Sequence, residues 1–364
     1  VRGPGWRGLA VFWTAILLVL ATGAAVLQSL GPPDTPAPAP VAAVPPPAAP
    51  TLPQAPPAAP DAATTPAPKS AGLPPGRATP GPIDDPDPTL LAPARAGDGA
   101  MLPRLDAGGR GPMQAYARGF DATTLRPRIG IVMAGIGTSD TDSQDAIRSL
   151  PGAVTLAISP YTLRPARLLD AARIAGHEYL LSLPMESYGD ANNDAGDHAL
   201  LAAAPPAQNA DRLDWALSRI QGYAGVTGAL GRLRGERFAA AADPFAILLH
   251  ALAARGLFFV DARPNAVLPP GIPPPGVWAA DIDLVVDEPA VRSEIDARLA
   301  QLEAIARQRG SALGLAGTPR AVTIARIADW ANSLPGKGLV LAPASALVRL
   351  QPAQSAAVST GATK

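Results

Sequence analysis

The chain has 364 residues, among them 44 Pro and 35 Gly, with 30 basic and 30 acidic side chains and no Cys. Balanced charge, without a dense basic patch interleaved with aromatics, argues against a nucleic-acid partner. The missing Cys excludes disulfides and thiolate metal sites but does not choose a redox compartment.

From the amino end, residues 8–33 carry no charge, and residues 9–27 form an apolar run broken only by Thr and Gly. At about 1.5 Å per residue such a helix approaches the roughly 30 Å of a bilayer's hydrocarbon core. Arg2 and Arg7 precede it and Asp34 is the first charge after it. The positive-inside rule then makes residues 1–8 a cytoplasmic tail and residues 9–30 a single-pass transmembrane helix in the inner (cytoplasmic) membrane, with the rest in the periplasm. A cleaved signal peptide is the alternative, given the small residues at 21–25, and it also exports the chain.

Residues 31–90 hold 21 prolines, mixed mostly with Ala, Thr and Gly. Proline donates no amide hydrogen, and the stretch offers little apolar surface to offset the entropy of ordering. A disordered Pro/Ala-rich linker is therefore expected over 31–100. A transitional strap over 101–125 carries Met113, Tyr116 and Phe120. One folded domain follows over 126–348, and a disordered tail over 349–364.

Short apolar runs read as buried strands at 129–133, 153–158, 179–183, 226–230, 257–260, 282–285, 312–315 and 338–341. Helical patterns fall at 163–175, 212–223, 244–254, 289–309 and 319–332, the third with Pro244 at its first position after Asp243. Strands alternating with helices predict a mainly parallel sheet, closed or nearly closed as a (β/α) barrel, with an open doubly wound sheet as the alternative. Gly135-Ile136-Gly137 lacks the later glycine of a dinucleotide fingerprint and reads as a strand-end turn.

Four strings carry a resemblance: IGIVMAGIG at 129–137, LPGAVTLAISPY at 150–161, GHEYLLSLPME at 176–186 and RGLFFVDAR at 255–263. A weaker tail, GLVLAPASAL at 338–347, also fits. In this order they resemble the divergent polysaccharide deacetylases, relatives of the NodB-type carbohydrate esterases. The resemblance implies an irregular (β/α) barrel of the glycoside hydrolase/deacetylase type. It also implies a metal centre in which an aspartate pair ends the first strand and histidines from later strand ends complete the ligand set. There the metal polarises an acetamide oxygen and activates water while a carboxylate takes the proton.

This chain departs from that pattern. Ala134 and Gly135 stand at the aspartate-pair positions, Ser182 and Ala229 at positions where His is usual, and Gly317 within the segment that usually reads Gly-His-Pro. Three histidines remain. His250 falls in a helix, His198 in a polar loop and His177 at the start of a strand. The cleft candidates are Glu186, Asp261, Arg263 and His177, near strand ends where barrel sites form. For Asp261 and Arg263 the plainer reading is that they pair with loops and fix the barrel rim, and Asp281, Asp283 and Asp287 are further rim candidates. The expectation is a catalytically inactive protein with no cofactor, binding an envelope glycan or partner protein. The alternatives are an active carbohydrate deacetylase holding zinc or another divalent metal, and a purely structural scaffold.

Overall fold

The computed structural model describes residues 13–14, 16–18, 21–22, 79–94, 99–189, 194–266 and 271–351. Two compact units are distinguished, 1–65 and 66–364. In the first, the described residues are helical and the Thr22 hydroxyl donates to the Leu18 carbonyl at 2.7 Å.

Among the described residues no helix is long and apolar enough to cross a membrane. This corrects the expected transmembrane helix over 9–30, and with it the single-pass attachment through the inner membrane and the periplasmic placement. A span needs about 20 consecutive helical residues; the rest of 9–30 lies outside the described residues. Residues 31–78 of the expected linker and 352–364 of the expected tail lie outside the described residues.

The second unit begins with β1 (Leu91–Pro93) paired antiparallel to β2 (Met101–Pro103), then α1 (Pro112–Tyr116). The main sheet starts with β3 (Arg128–Ile136), α2 (Asp140–Ser149), β4 (Thr155–Ile158), α3 (Pro165–Ile174) and β5 (Tyr179–Ser182). It continues with α4 (Pro206–Ser218), β6 (Gly225–Thr227), α5 (Glu236–Ala240), α6 (Ala242–Ala253) and β7 (Phe258–Asp261). Next come β8 (Trp278–Asp281), β9 (Leu284–Val285), α7 (Arg292–Arg309), β10 (Ser311–Ala316) and α8 (Ala321–Ser333). The last strands are β11 (Val340–Leu341) and β12 (Arg349–Leu350).

Hydrogen-bonded neighbours run β12-β8-β7-β6-β5-β4-β3-β10-β9, with β11 on the first residues of β3. All pairs are parallel except β12 with β8. Among the described residues the ladder does not close, and the sheet is an open, curled half-barrel consistent with the expected irregular (β/α) fold. Between β8 and β9 the chain steps across the gap: Ile282 donates to the Asp261 carbonyl at 3.0 Å and Asp283 to the Leu313 carbonyl at 2.8 Å. One strand of two residues therefore stands where a closed barrel would need a full pairing.

Alternation along the strands sorts the core into two layers. Ile131 and Met133 of β3 and Phe259 of β7 pack outward with the helices, whereas Val132, Ala134, Leu180, Val260 and Leu315 pack inside the curl. The lower end of the interior is plugged by Leu90, Met113 and Tyr116 from the strap and by Val348. Both ends of the described unit lie at strand starts. Gly81 abuts Gly176 just before β5, and Gln351 exchanges hydrogen bonds with Gly276 and Val277 just before β8.

Candidate functional site

At the opposite end, where the parallel strands finish, main chain fills the mouth of the curl. Ala134 and Ala229 are wholly buried in the inner layer. Gly135 has φ +74°, and a side chain there would begin 3.1 Å from Pro319 Cδ and 3.2 Å from the Gly317 carbonyl oxygen. A side chain at Gly317 would begin 3.3 Å from the Gly231 carbonyl oxygen. Gly231 sits in a tight turn after β6, held by reciprocal bonds between Leu230 and Leu233 at 2.9 and 3.1 Å. Such approaches suit glycine, which lacks the Cβ that would collide.

Ser182 ends β5 beside Thr227 in register, and its buried hydroxyl has no hydrogen-bond partner. Thr227 has partners: its hydroxyl donates to the Val260 carbonyl at 2.9 Å and accepts from Ala229 N–H at 3.2 Å.

Beside this filled mouth lies a cleft of about 340 Å³ whose lining includes Arg232, Asp287, Glu288, Gly317, Thr318 and Arg320. Asp287 is buried and accepts the N–H groups of Gly317 at 2.8 Å and Thr318 at 3.3 Å. Burial raises its carboxyl above the usual range against those hydrogen bonds, which pull it down. Glu288 pairs with Arg234 at 2.5 Å and more distantly with Arg232 at 3.9 Å. Arg320 opens α8 and is exposed.

The sequence-predicted candidates do not meet in this cleft. Asp261 is buried and takes three bonds from Arg263: the backbone N–H at 3.0 Å, Nε at 2.9 Å and Nη2 at 2.6 Å. Arg263 also lies 5.6 Å over the Phe245 ring, which packs on the outward Phe259. The pair thus belongs to the helix side of the sheet. Asp281, Asp261's partner in register, has its carboxyl raised by partial burial, then by the charges of Asp261 and Asp283. The residue is nonetheless exposed, so solvent screens these repulsions. Asp283 instead accepts from Leu313 N–H and Arg309, both at 2.8 Å.

Glu186 accepts from Ala202 N–H at 2.8 Å and pairs with Arg237 at 3.3 Å, tying two loops together. His177 lies at the other end of the strands, wholly buried, with Nδ1 2.8 Å from the Val154 carbonyl and Nε2 3.2 Å from that of Ile147. Burial pushes its imidazole pKa down, against both carbonyls. It does not bond its neighbour Glu178, which binds Arg118 N–H, Thr155 and Ser345 instead.

The donor set does not fit the zinc centre the resemblance implies. A protein site for zinc needs three or four N, O or S side-chain ligands. His198 stacks on Trp215 with centroids 3.7 Å apart, His250 is exposed on α6 and His177 is at the wrong end. Among the described residues no group of three or more His, Cys, Asp or Glu could hold a metal. The two cleft carboxylates are engaged by backbone N–H groups and by arginine.

Residues 131–348 match the family described as divergent polysaccharide deacetylase. The chain belongs to that family. A crystal structure of an uncharacterized protein of Agrobacterium tumefaciens C58, ATU2773, is similar at 32% identity with a TM-score of 0.62. The match covers 68% of this chain and 99% of that one. No curated protein matches the chain. Within the family, the cleft arginines were the residues that sequence reasoning missed. Their signals were the Arg-Leu-Arg string directly after the β6 turn and the Asp-Glu pair directly after the buried Val285–Val286 run.

Proposed function

We propose that this member of the divergent polysaccharide deacetylase family is catalytically inactive and binds a carbohydrate in the Arg232–Glu288–Arg320 cleft. The observation that carries the reading is the backbone packing of Gly135, Gly317 and Gly231. Where a metal and its activated water would be held, three strand-end segments approach within contact distance. Hydrolysis of an acetamide needs a polarised oxygen and a base acting on water, and a lone carboxylate supplies only one of these roles. The adjoining cleft keeps the polar, strand-end setting in which sugar hydroxyls are usually bound.

The test uses the full chain incubated with zinc, cobalt or nickel. Bound metal is measured by mass spectrometry and acetate release from acetylated chitooligosaccharides by enzyme-coupled assay. Expected are metal below one equivalent, acetate at the level of the blank, and saturable heat of binding with at least one oligosaccharide. Turnover with one metal per chain would sink the inactive reading. Absence of binding to every neutral, acetylated and acidic oligosaccharide tried would sink the carbohydrate reading.

A further inference from the structure

The cleft combines three sources of positive potential on one side. Arg232 is 72% exposed at its side chain and only loosely paired, 3.9 Å from Glu288, because Arg234 already holds that carboxylate at 2.5 Å. Arg320 has no ion-pair partner among the described residues and stands exposed at the cleft edge. It is also the residue at which α8 begins. The first turn of α8 carries no acidic side chain, and no side chain caps it. The positive end of a helix thirteen residues long therefore has no acid of its own first turn against it, the nearest carboxylates being those of Asp287 and Glu288 beside Gly317 and Thr318. Of the cleft's two carboxylates, Glu288 is offset by Arg234, and Asp287 is held on the N–H groups of Gly317 and Thr318, so that Arg232 and Arg320 are the exposed charges of the lining.

We infer that the cleft recognises an acidic glycan, with Arg232 and Arg320 gripping an anionic group carried on the sugar. The inference rests on the carbohydrate reading above and narrows its ligand class. The guanidinium fork matches planar carboxylates and tetrahedral phosphates alike, with hydrogen bonds stronger than those of neutral pairs. A uronic-acid carboxylate and a sugar phosphate share this chemistry. Glu288, 3.9 Å from Arg232 and in the same lining, can accept a neighbouring hydroxyl, which a free inorganic anion does not offer.

The experiment is calorimetric titration of the full chain with tetragalacturonate, with maltotetraose as the neutral comparison of equal length, and with glucose 6-phosphate and inorganic phosphate. Expected is preferential binding of an acidic sugar over maltotetraose, weakening as sodium chloride rises. Arg232→Gln and Arg320→Gln should each lower that affinity roughly tenfold, the effect of one lost charge-assisted contact. Tetragalacturonate or glucose 6-phosphate as the stronger ligand assigns the anion to carboxylate or phosphate. Inorganic phosphate binding as well as either sugar overturns the glycan part of the inference. Maltotetraose binding equally well, unaffected by both substitutions, overturns the acidic specificity and leaves the carbohydrate reading standing. Absence of binding by any oligosaccharide overturns both. Because both arginines are exposed, unchanged thermal melting is expected and separates lost contact from lost fold.

Discussion

Glu178 and Ser345 stand 167 positions apart in the chain and are joined twice, the backbone N–H and the hydroxyl of Ser345 both donating to the Glu178 carboxylate. Thr155 and the backbone N–H of Arg118 donate to the same group at 2.9 Å each. Arg118 in turn donates through its guanidinium to the Gly176 carbonyl. One wholly buried carboxylate thereby fastens the strap, β4, β5 and the turn before β12. Replacing it by Ala strands several buried donors. Glu178→Ala is expected to lose about 3 kcal/mol or more, measured by urea unfolding of the full chain. A loss below about 1 kcal/mol would show that water replaces the carboxylate freely.

His177 predicts a pH dependence. Its folded pKa lies below the unfolded value of 6.5 because burial penalises the imidazolium. The unfolded chain therefore binds the proton more readily. The stabilisation is fully present above 6.5 and is lost as pH falls through the lower folded value. The stability difference between the wild type and His177→Gln should be widest at neutral pH and narrow towards pH 5. A pH-independent difference, measured by urea unfolding across that range, would count against the assignment.

Restoring one acid at the first strand end should not restore chemistry. Gly135 has φ +74° and main chain 3.2 Å from where a Cβ would begin. Gly135→Asp is expected to destabilise the fold by roughly 1–3 kcal/mol without raising metal content or acetate release. Stoichiometric zinc in that variant would show that the mouth opens readily.

Asp261 and Arg263 separate stability from binding. Arg263→Ala leaves a buried carboxylate without its guanidinium, at an expected cost of about 3–5 kcal/mol. Since the pair packs towards Phe245 and Phe259 and neither residue lines the cleft, oligosaccharide affinity measured well below the variant's melting temperature should stay within about twofold of wild type, as expected of sites without shared partners. A selective loss of affinity would place the pair in the binding surface.

Much of the sheet was legible because its strands are buried on both faces and read as unbroken apolar runs. β3, β4, β5, β7 and β10 all coincide with such runs. α2 was missed because only Ser143, Ala146 and Ile147 of its ten residues are buried, leaving too faint an apolar stripe to reveal a helical period. α4 starts at Pro206 rather than near Arg212, since proline suits a first helical position, where its missing amide hydrogen costs nothing. β8 escaped notice because Trp278-Ala-Ala-Asp281 is half-exposed and paired by the late β12, a tertiary contact no local pattern announces. At the site, the residues standing at the positions where the resemblance implies ligands were readable one by one. The outward face of Asp261 was not, since the direction of a side chain near a strand end depends on register.

Gly81 and Gln351 both lie at strand starts, whereas Arg232, Glu288 and Arg320 lie at strand finishes. A fluorophore, resin or fusion partner joined at either end of 79–351 would therefore approach the pole away from the arginines. Attachment beside Gly81 or Gln351 thus orients the described residues with Arg232, Glu288 and Arg320 turned away from the support.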